Sequence, residues 1–157
     1  MDYTVFSTEF PDVKVFYNEP LKNYTFTKTG GRAAILIFPK DKKEASAVMH
    51  WLREHNIPTT ILGNASNVII KDGGISGAVI MLNDMSHLTV SGTQIVAEGG
   101  VALIDVSKEA AKNGLTGLEF ACGIPGSVGG AIFMNAGAYG GEVSEVVEYV
   151  EVITPEG

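Results

Sequence analysis

The residues best placed to do chemistry in this chain are glycines and small polar residues, and what they offer is bare backbone. From Phe120 to Gly141 the sequence runs Phe-Ala-Cys-Gly-Ile-Pro-Gly-Ser-Val-Gly-Gly-Ala-Ile-Phe-Met-Asn-Ala-Gly-Ala-Tyr-Gly-Gly, and seven of the 19 glycines fall in it. Ile124, Val128, Ile132, Phe133 and Met134 are interleaved with them, so the stretch reads as buried or half-buried chain rather than solvated linker. Pro125 fixes one φ, and glycine permits positive φ or the close approach of another group. Ser127 is placed to cap a short helix running to about Asn135, whose start would turn N–H groups toward an anion. Gly129 and Gly130 fall inside that helix, where each glycine costs roughly 0.5–1 kcal/mol. Two explanations offset the cost: a phosphate or flat ring lying on bare backbone, or a second element packed tightly against the helix. Gly137, Gly140 and Gly141 either complete the same wrap or turn the chain.

A second candidate is the turn Leu62-Gly63-Asn64-Ala65-Ser66-Asn67, which lies between two predicted apolar strands, 59–62 and 68–70. A tight turn of small polar residues after a strand is where an α/β sheet offers N–H groups to a ligand. The same composition suits an ordinary turn in which Asn and Gly tolerate left-handed geometry. Neither stretch fits the commonest nucleotide fingerprints. Gly126-Ser127-Val128-Gly129-Gly130 lacks the Gly-x-Gly-x-x-Gly order, and no glycine is followed by Lys and a hydroxyl residue. A Rossmann dinucleotide site is therefore disfavoured. Among side chains, His50, His55 and His87 read as surface or capping groups. Cys122 reads as a small buried hydrophobe, with no His near it in sequence to activate it. Tyr139 either touches a ligand or covers its loop. No catalytic set and no metal-ligand set emerges.

The elements that must position these loops follow from periodicity. Residues 1–23, punctuated by Pro11 and Pro20, predict a loose leader with one short helix or strand. Residues 23–33 are a β-rich run that breaks at Gly30-Gly31, and 34–38 form a continuous apolar strand of the kind covered on both faces. Asp41 stands three residues before Glu44, a variant of the capping box, and Ala45, Val48, Met49 and Leu52 make one helical face from about 42 to 55. Thr59–Leu62 is the next strand, and this strand, helix, strand order predicts a parallel first sheet. Residues 71–74 turn, 77–82 form another buried strand, and 83–86 connect two halves. Residues 94–98 predict a strand closed by Gly99-Gly100. Leu103, Val106, Ala110 and Ala111 predict a helix that Asn113-Gly114 terminates.

Composition narrows the class. At 157 residues the chain is the size of one ordinary domain, and 45% hydrophobic with 18% charged residues describes a compact globular protein. A net charge of −7 argues against a nucleic-acid groove, which needs a basic face. The single cysteine excludes an intramolecular disulfide and a thiolate cluster. No run approaches the roughly 18 apolar residues of a membrane span, and the N-terminus has no basic segment leading into an apolar run. A cytoplasmic location with neither nucleic acid nor membrane as partner is the expectation.

Taken together, Gly30-Gly31 before an apolar strand, the Leu-Gly-Asn-Ala-Ser-Asn turn at 62–67, the run Gly-Leu-Glu-Phe-Ala-Cys-Gly-Ile-Pro-Gly-Ser-Val-Gly-Gly-Ala at 117–131 and Asn135-Ala136-Gly137-Ala138-Tyr139-Gly140 resemble the UDP-N-acetylenolpyruvoylglucosamine reductases. These belong to the wider vanillyl-alcohol-oxidase or PCMH type of FAD-binding fold. The resemblance runs from about residue 20 onward. It implies an α+β, two-subdomain FAD-binding domain, divided at 1–84 and 85–157, with FAD between the halves. It also implies that Leu62, Gly63, Asn64, Ala65, Ser66 and Asn67 lie against the FAD pyrophosphate. Ile124, Pro125, Gly126, Ser127, Gly129, Gly130, Asn135, Gly137 and Ala138 would wrap the rest of the cofactor. A pyrophosphate held by backbone N–H groups needs no arginine cluster, which suits a chain whose only guanidinium groups are Arg32 and Arg53.

The implied activity is NADPH-dependent reduction of UDP-N-acetylglucosamine enolpyruvate to UDP-N-acetylmuramate in peptidoglycan synthesis. The alternatives are a non-catalytic flavin or nucleotide module and a different flavin oxidoreductase on the same fold. Residues 146–153 predict a strand and 154–157 the turn of a hairpin. A hairpin without its return strand predicts a second subdomain truncated at its C-terminal end and a chain that is the N-terminal part of a longer enzyme. The catalytic arginine, serine proton donor and glutamate of the resembled family match no residue here, so the fragment by itself is expected to be inactive.

Overall fold

The computed structural model describes residues 3–155. The first half is built on a four-stranded sheet in the order β1-β2-β4-β3. Its strands are β1 (Lys14–Pro20), β2 (Arg32–Phe38), β3 (Thr59–Leu62) and β4 (Ile75–Met81). The three strands β2, β4 and β3 are parallel as expected, but β1 pairs antiparallel with β2, from Lys14 opposite Phe38 to Pro20 opposite Arg32. The sheet is mixed because β1 and β2 are joined without the helical crossover that a parallel pair needs.

The apolar run of β2 is explained by burial on both faces. Ile35 and Ile37 pack with Ala78 and Ile80 beneath the helices α1 (Thr4–Glu9) and α2 (Lys42–Glu54), where Phe6, Val48 and Leu52 close the layer. Leu36 and Phe38 pack with Val79 and Met81 on the other face, against Leu21, Leu62, Ala65 and Ile70. Burying a side chain such as Leu52 or Ile37 stabilises by about 1.5–3 kcal/mol each. The start of α2 follows its sequence signal. Asp41 Oδ1 accepts from Glu44 N at 2.9 Å, while Glu44 Oε2 reaches back to Lys40 N at 3.0 Å.

The second half carries the ribbon of β5 (Leu88–Ser91) and β6 (Gln94–Ala97), then α3 (Leu103–Lys112) and α4 (Val128–Met134), then the two-residue strands β7 (Gly137–Ala138) and β8 (Gly141–Glu142). Leu103, Phe120, Ala121, Ala131 and Val143 form its core. Gly114, at φ +68, follows the Asn113 cap of α3 as the Asn-Gly pair predicts. Among the described residues no helix is long and apolar enough to cross a membrane.

Three expected strands are absent. Residues 24–29 form turns, because Thr25 is buried with its hydroxyl donating to Thr29 O at 2.7 Å and Lys28 sits at φ 57. Residues 68–70 carry the chain from the C-terminal ends of the parallel strands back to the start of β4, with Ile70 buried and Ile69 85% exposed. Residues 146–153, rich in Val, lie in no ladder. The segment is held by Gln94 Nε2 to Glu148 at 2.8 Å and by the Lys42–Glu151 ion pair at 2.9 Å. Strand propensity without a neighbouring strand does not make a sheet. Of the turn expected at 154–157, Glu156 and Gly157 lie outside the described residues.

Candidate cofactor site

β3 and β4 end side by side, Leu62 opposite Met81, and the turn at 63–67 leaves from that C-terminal edge. Ala65 takes φ 50, a left-handed value that costs a non-glycine residue about 1–2 kcal/mol. What holds it there is burial. Its methyl group sits in the core with Leu62 and Ile70, and its carbonyl accepts from Phe26 N at 3.2 Å. Among the described residues, the N–H groups of Asn64, Ala65, Ser66 and Asn67 donate to no acceptor. Successive backbone N–H groups around a left-handed residue are the arrangement from which anion-binding concavities are built.

The chain from Ile124 to Gly130 lies across from this turn. Gly126 N bonds to Ile124 O at 2.9 Å, folding the backbone tightly around Pro125. Three further bonds strap the segment to residues 99–103: Leu103 N to Gly126 O at 2.8 Å, Val128 N to Val101 O at 2.8 Å and Gly129 N to Gly99 O at 2.9 Å. The buried Ser127 caps α4 as expected, accepting from Gly130 N at 3.4 Å. One expectation is overturned here. The N–H groups at the start of α4 are taken by Val101, Gly99 and Ser127, so this helix turns no free donors toward an anion, whereas those of 64–67 have no protein acceptor among the described residues.

The two loops meet. A Cβ on Gly63 would collide with the Ser127 hydroxyl, and Asn64 Nδ2 reaches Pro125 O at 3.4 Å. The glycines divide by what surrounds them. A Cβ on Gly129 would lie 3.1 Å from Gly99 O, and one on Gly137 would lie 2.8 Å from Gly141 O, so tight packing accounts for both. Gly126 is different. It has no positive φ, and its Cβ would meet nothing nearer than Ile124 at 3.9 Å and the Ser66 hydroxyl at 4.0 Å. Gly123 is likewise uncrowded. Gly126 is thus bare backbone that neither φ nor protein packing requires, close to the turn whose N–H groups have no protein acceptor.

Beyond α4, Asn135 caps the helix at φ 44, ψ 54, and its Oδ1 accepts from Ser144 N at 2.9 Å. The Ser144 hydroxyl and then the Asn135 amide hold the Glu142 carboxyl below the usual carboxylate range. These bonds fix a hairpin in which Gly137 and Ala138 pair with Glu142 and Gly141. Tyr139 and Gly140, both at positive φ, form its two-residue tip. Tyr139 is 92% exposed, so it covers no loop. Cys122 is exposed rather than buried, because its neighbours Phe120 and Ala121 take the inward positions of the turn. His55 is a capping residue, its Nδ1 2.8 Å from Trp51 O and its ring stacked on the indole. Sequence reasoning missed the role of Gly99 to Val101 as the partner of α4. The signal was the Gly99-Gly100 pair, since a second bare backbone is what Gly129 packs against.

From Asn113 to Gly141 the one charged residue is Glu119, whose carboxylate accepts from Gly117 N at 2.8 Å within its own loop.

Comparison with known proteins agrees with this geometry. A family model described as an FAD binding domain matches residues 33–157. The chain is 57% identical over 148 residues to a UDP-N-acetylenolpyruvoylglucosamine reductase of Lactiplantibacillus plantarum, covering 94% of this chain and 49% of that protein. It thus spans about half the length of the curated relatives it matches. The crystal structure of UDP-N-acetylenolpyruvylglucosamine reductase from Thermus caldophilus superposes with a TM-score of 0.64 at 35% identity, over 83% of this chain and 44% of that one. An alkyldihydroxyacetonephosphate synthase shares the fold at a TM-score of 0.74 and 14% identity, over 100% of this chain and 34% of that one. The PCMH-type α+β fold, the unpaired N–H groups of 64–67 and the match over most of the chain lead to one conclusion: this chain belongs to the FAD binding domain family.

Proposed function

We propose that this chain is the FAD-holding part of an NADPH-dependent reductase that converts UDP-N-acetylglucosamine enolpyruvate to UDP-N-acetylmuramate in cytoplasmic peptidoglycan synthesis, and so serves cell-wall biogenesis, cell shape and division. The observation that carries the reading is the seam where the turn at 64–67, whose four N–H groups have no protein acceptor, meets the uncrowded Gly126, whose added Cβ would lie 4.0 Å from the Ser66 hydroxyl. The name of the relatives supplies the substrate class. FAD, when bound, supplies the hydride chemistry that such a reduction requires.

The protein's share is binding and orientation. Asn64, Ala65, Ser66 and Asn67 receive the pyrophosphate, with Leu62 and Gly63 anchoring the turn to β3. Ile124, Pro125 and Gly126 offer backbone to the remainder of the cofactor. Ser127 and Gly130 set the distance between the two loops at Gly63, Gly129 ties α4 to Gly99, and Asn135, Gly137 and Ala138 carry the hairpin. Residues 1–84 and 85–157 act as two subdomains closing on the cofactor. No residue here takes the proton-donor role: Arg32 opens β2 at the opposite edge of the sheet, and Arg53 sits in the last turn of α2.

Titration of flavin fluorescence with the purified chain tests this. FAD is expected to bind at least tenfold more tightly than FMN, which lacks the pyrophosphate and the adenosine that the seam accommodates. Equal affinity for the two flavins, or no saturable binding of either, would overturn the reading. Extended to the length of its relatives, the protein should consume NADPH only when the enolpyruvyl UDP-sugar is added. The chain of 157 residues, saturated with FAD, should stay at background, because an acid within hydrogen-bond reach of substrate is needed to complete the reduction.

A further inference from the structure

At the edge of the first sheet opposite the flavin seam, where β2 and β4 begin, a cavity of about 550 Å³ opens between the end of β1 and the turn at 71–74. This is within the range of about 300–1,000 Å³ typical of small-molecule sites. Lys22 and Arg32 both line it, and neither forms an ion pair among the described residues. One guanidinium N–H of Arg32 donates to Asn18 O, which fixes the group and leaves most of its donor fork unused. The one carboxylate in the lining is that of Asp72, so the wall carries a net positive charge.

The backbone of this cavity is also open. Among the described residues the N–H groups of Gly30 and Gly73 donate to no acceptor. Gly30 is a glycine for conformational reasons, at φ +123. Gly73 is not: it has no positive φ, and a Cβ there would meet no atom within 4 Å. The frame around them is rigid. Gly31 N bonds to Lys71 O at 3.0 Å, Gly31 O accepts from Leu21 N at 2.9 Å, and Gly74 N bonds to Lys71 O at 2.9 Å.

We propose that this cavity is a second binding site, for a phosphate ester of about mononucleotide size. The geometry assigns its phosphate to the Arg32 fork, Lys22 and the N–H groups of Gly30 and Gly73, since a planar guanidinium matches phosphate oxygens two at a time. The body of the ester lies along Pro20, Ala34 and Ile75, which form the apolar part of the wall. The site shares no residue with the flavin seam.

Amide NMR titration of the isotope-labelled chain, preincubated with excess FAD, with AMP, inorganic phosphate and adenosine tests the assignment. AMP should shift the signals of Gly30, Arg32 and Gly73 saturably, phosphate should shift the same signals at least tenfold more weakly, and adenosine should leave them in place. Arg32→Gln should weaken AMP at least tenfold. Because that change also removes the tie to Asn18, Gly73→Val provides an independent block, at a position where an added Cβ meets no atom within 4 Å, and it should abolish the shifts with the melting temperature preserved. Shifts confined to Asn64–Asn67, adenosine acting as well as AMP, or unchanged affinity in both variants would each overturn the proposal. None of these results depends on reductase activity.

Discussion

Replacing Gly126 and Gly129 separately by alanine should split cofactor binding from stability. At Gly126 the new methyl meets no protein atom nearer than 3.9 Å, and the φ there is already one that alanine adopts. The fold should therefore change by no more than about 0.5 kcal/mol, or gain about 0.4–1 kcal/mol through the reduced entropy of the unfolded chain. The same methyl fills the cradle. Forcing a methyl group into a packed contact costs roughly 1–3 kcal/mol, so FAD affinity should fall by about 5-fold to 150-fold, tenfold for each 1.4 kcal/mol. Gly129→Ala reverses the pattern. A helix gains about 0.5–1 kcal/mol when glycine becomes alanine, but here the Cβ would sit 3.1 Å from Gly99 O and 3.3 Å from Gly99 Cα, both backbone atoms that cannot rotate away. Overpacking of about 1–3 kcal/mol, with strain on the 2.9 Å Gly129–Gly99 bond, leaves a net loss near 0.5–2 kcal/mol. FAD titration run beside thermal melts on both variants decides the matter. Parental FAD affinity in Gly126→Ala would refute the cradle, and an unchanged melting temperature in Gly129→Ala would refute the strap.

Other perturbations follow from the same contacts. Ala65→Pro, whose ring locks φ near −65° where the chain needs 50°, should abolish FAD binding. Ala65→Gly trades a buried methyl of about 0.8 kcal/mol against relief of about 1–2 kcal/mol of left-handed strain, so it should keep both fold and binding. Asp41→Ala removes the 2.9 Å cap on α2 and should cost about 0.5–2 kcal/mol, seen as a melting point lower by about 2–4 °C per kcal/mol with FAD affinity unchanged. Glu142 titrates below the usual range, so its contribution to the hairpin is present at neutral pH and is lost as pH falls through its depressed value. In an acid titration the Ser144 amide signal should move with a midpoint below that of an ordinary glutamate. Ser144→Ala should raise this midpoint more than Asn135→Ala, and an unmoved midpoint in Ser144→Ala would show that the hydroxyl is not the cause.

Much of the scaffold was legible because its signals are local. The Asp41 cap, the Val48 and Leu52 face of α2, the Asn113-Gly114 stop of α3 and the Ser127 start of α4 each lie within a few residues of what they control, and each is found where the pattern predicts. The failures are cases where pairing decides. Residues 146–153 have the composition of a strand but no neighbour among the described residues, whereas 88–91 is a strand because the Gly92 turn at φ 59 delivers 94–97 against it. Likewise Cys122 has apolar neighbours in sequence, but only Phe120 and Ala121 of that turn reach the core.

The site shows the same limit more sharply. From composition, the start of α4 and the turn at 63–67 are equal candidates for holding an anion, since each combines glycine with a small hydroxyl residue. Which one is free depends on bonds to a segment some 30 residues away from α4, the carbonyls of Gly99 and Val101, and these take the donors of Val128 and Gly129. The turn keeps its donors because Ala65 is pinned from below by apolar contacts that use no N–H group. Burial of one methyl group thus holds the left-handed residue that leaves four amides without partners, while hydrogen bonding consumes those of the helix. Gly129 sets how closely α4 approaches the backbone of Gly99, whereas Gly63 is the glycine that lets the turn at 63–67 approach Ser127. Gly129 is crowded by protein backbone and Gly126 is not, which is why substitutions at the two positions should fail in different assays.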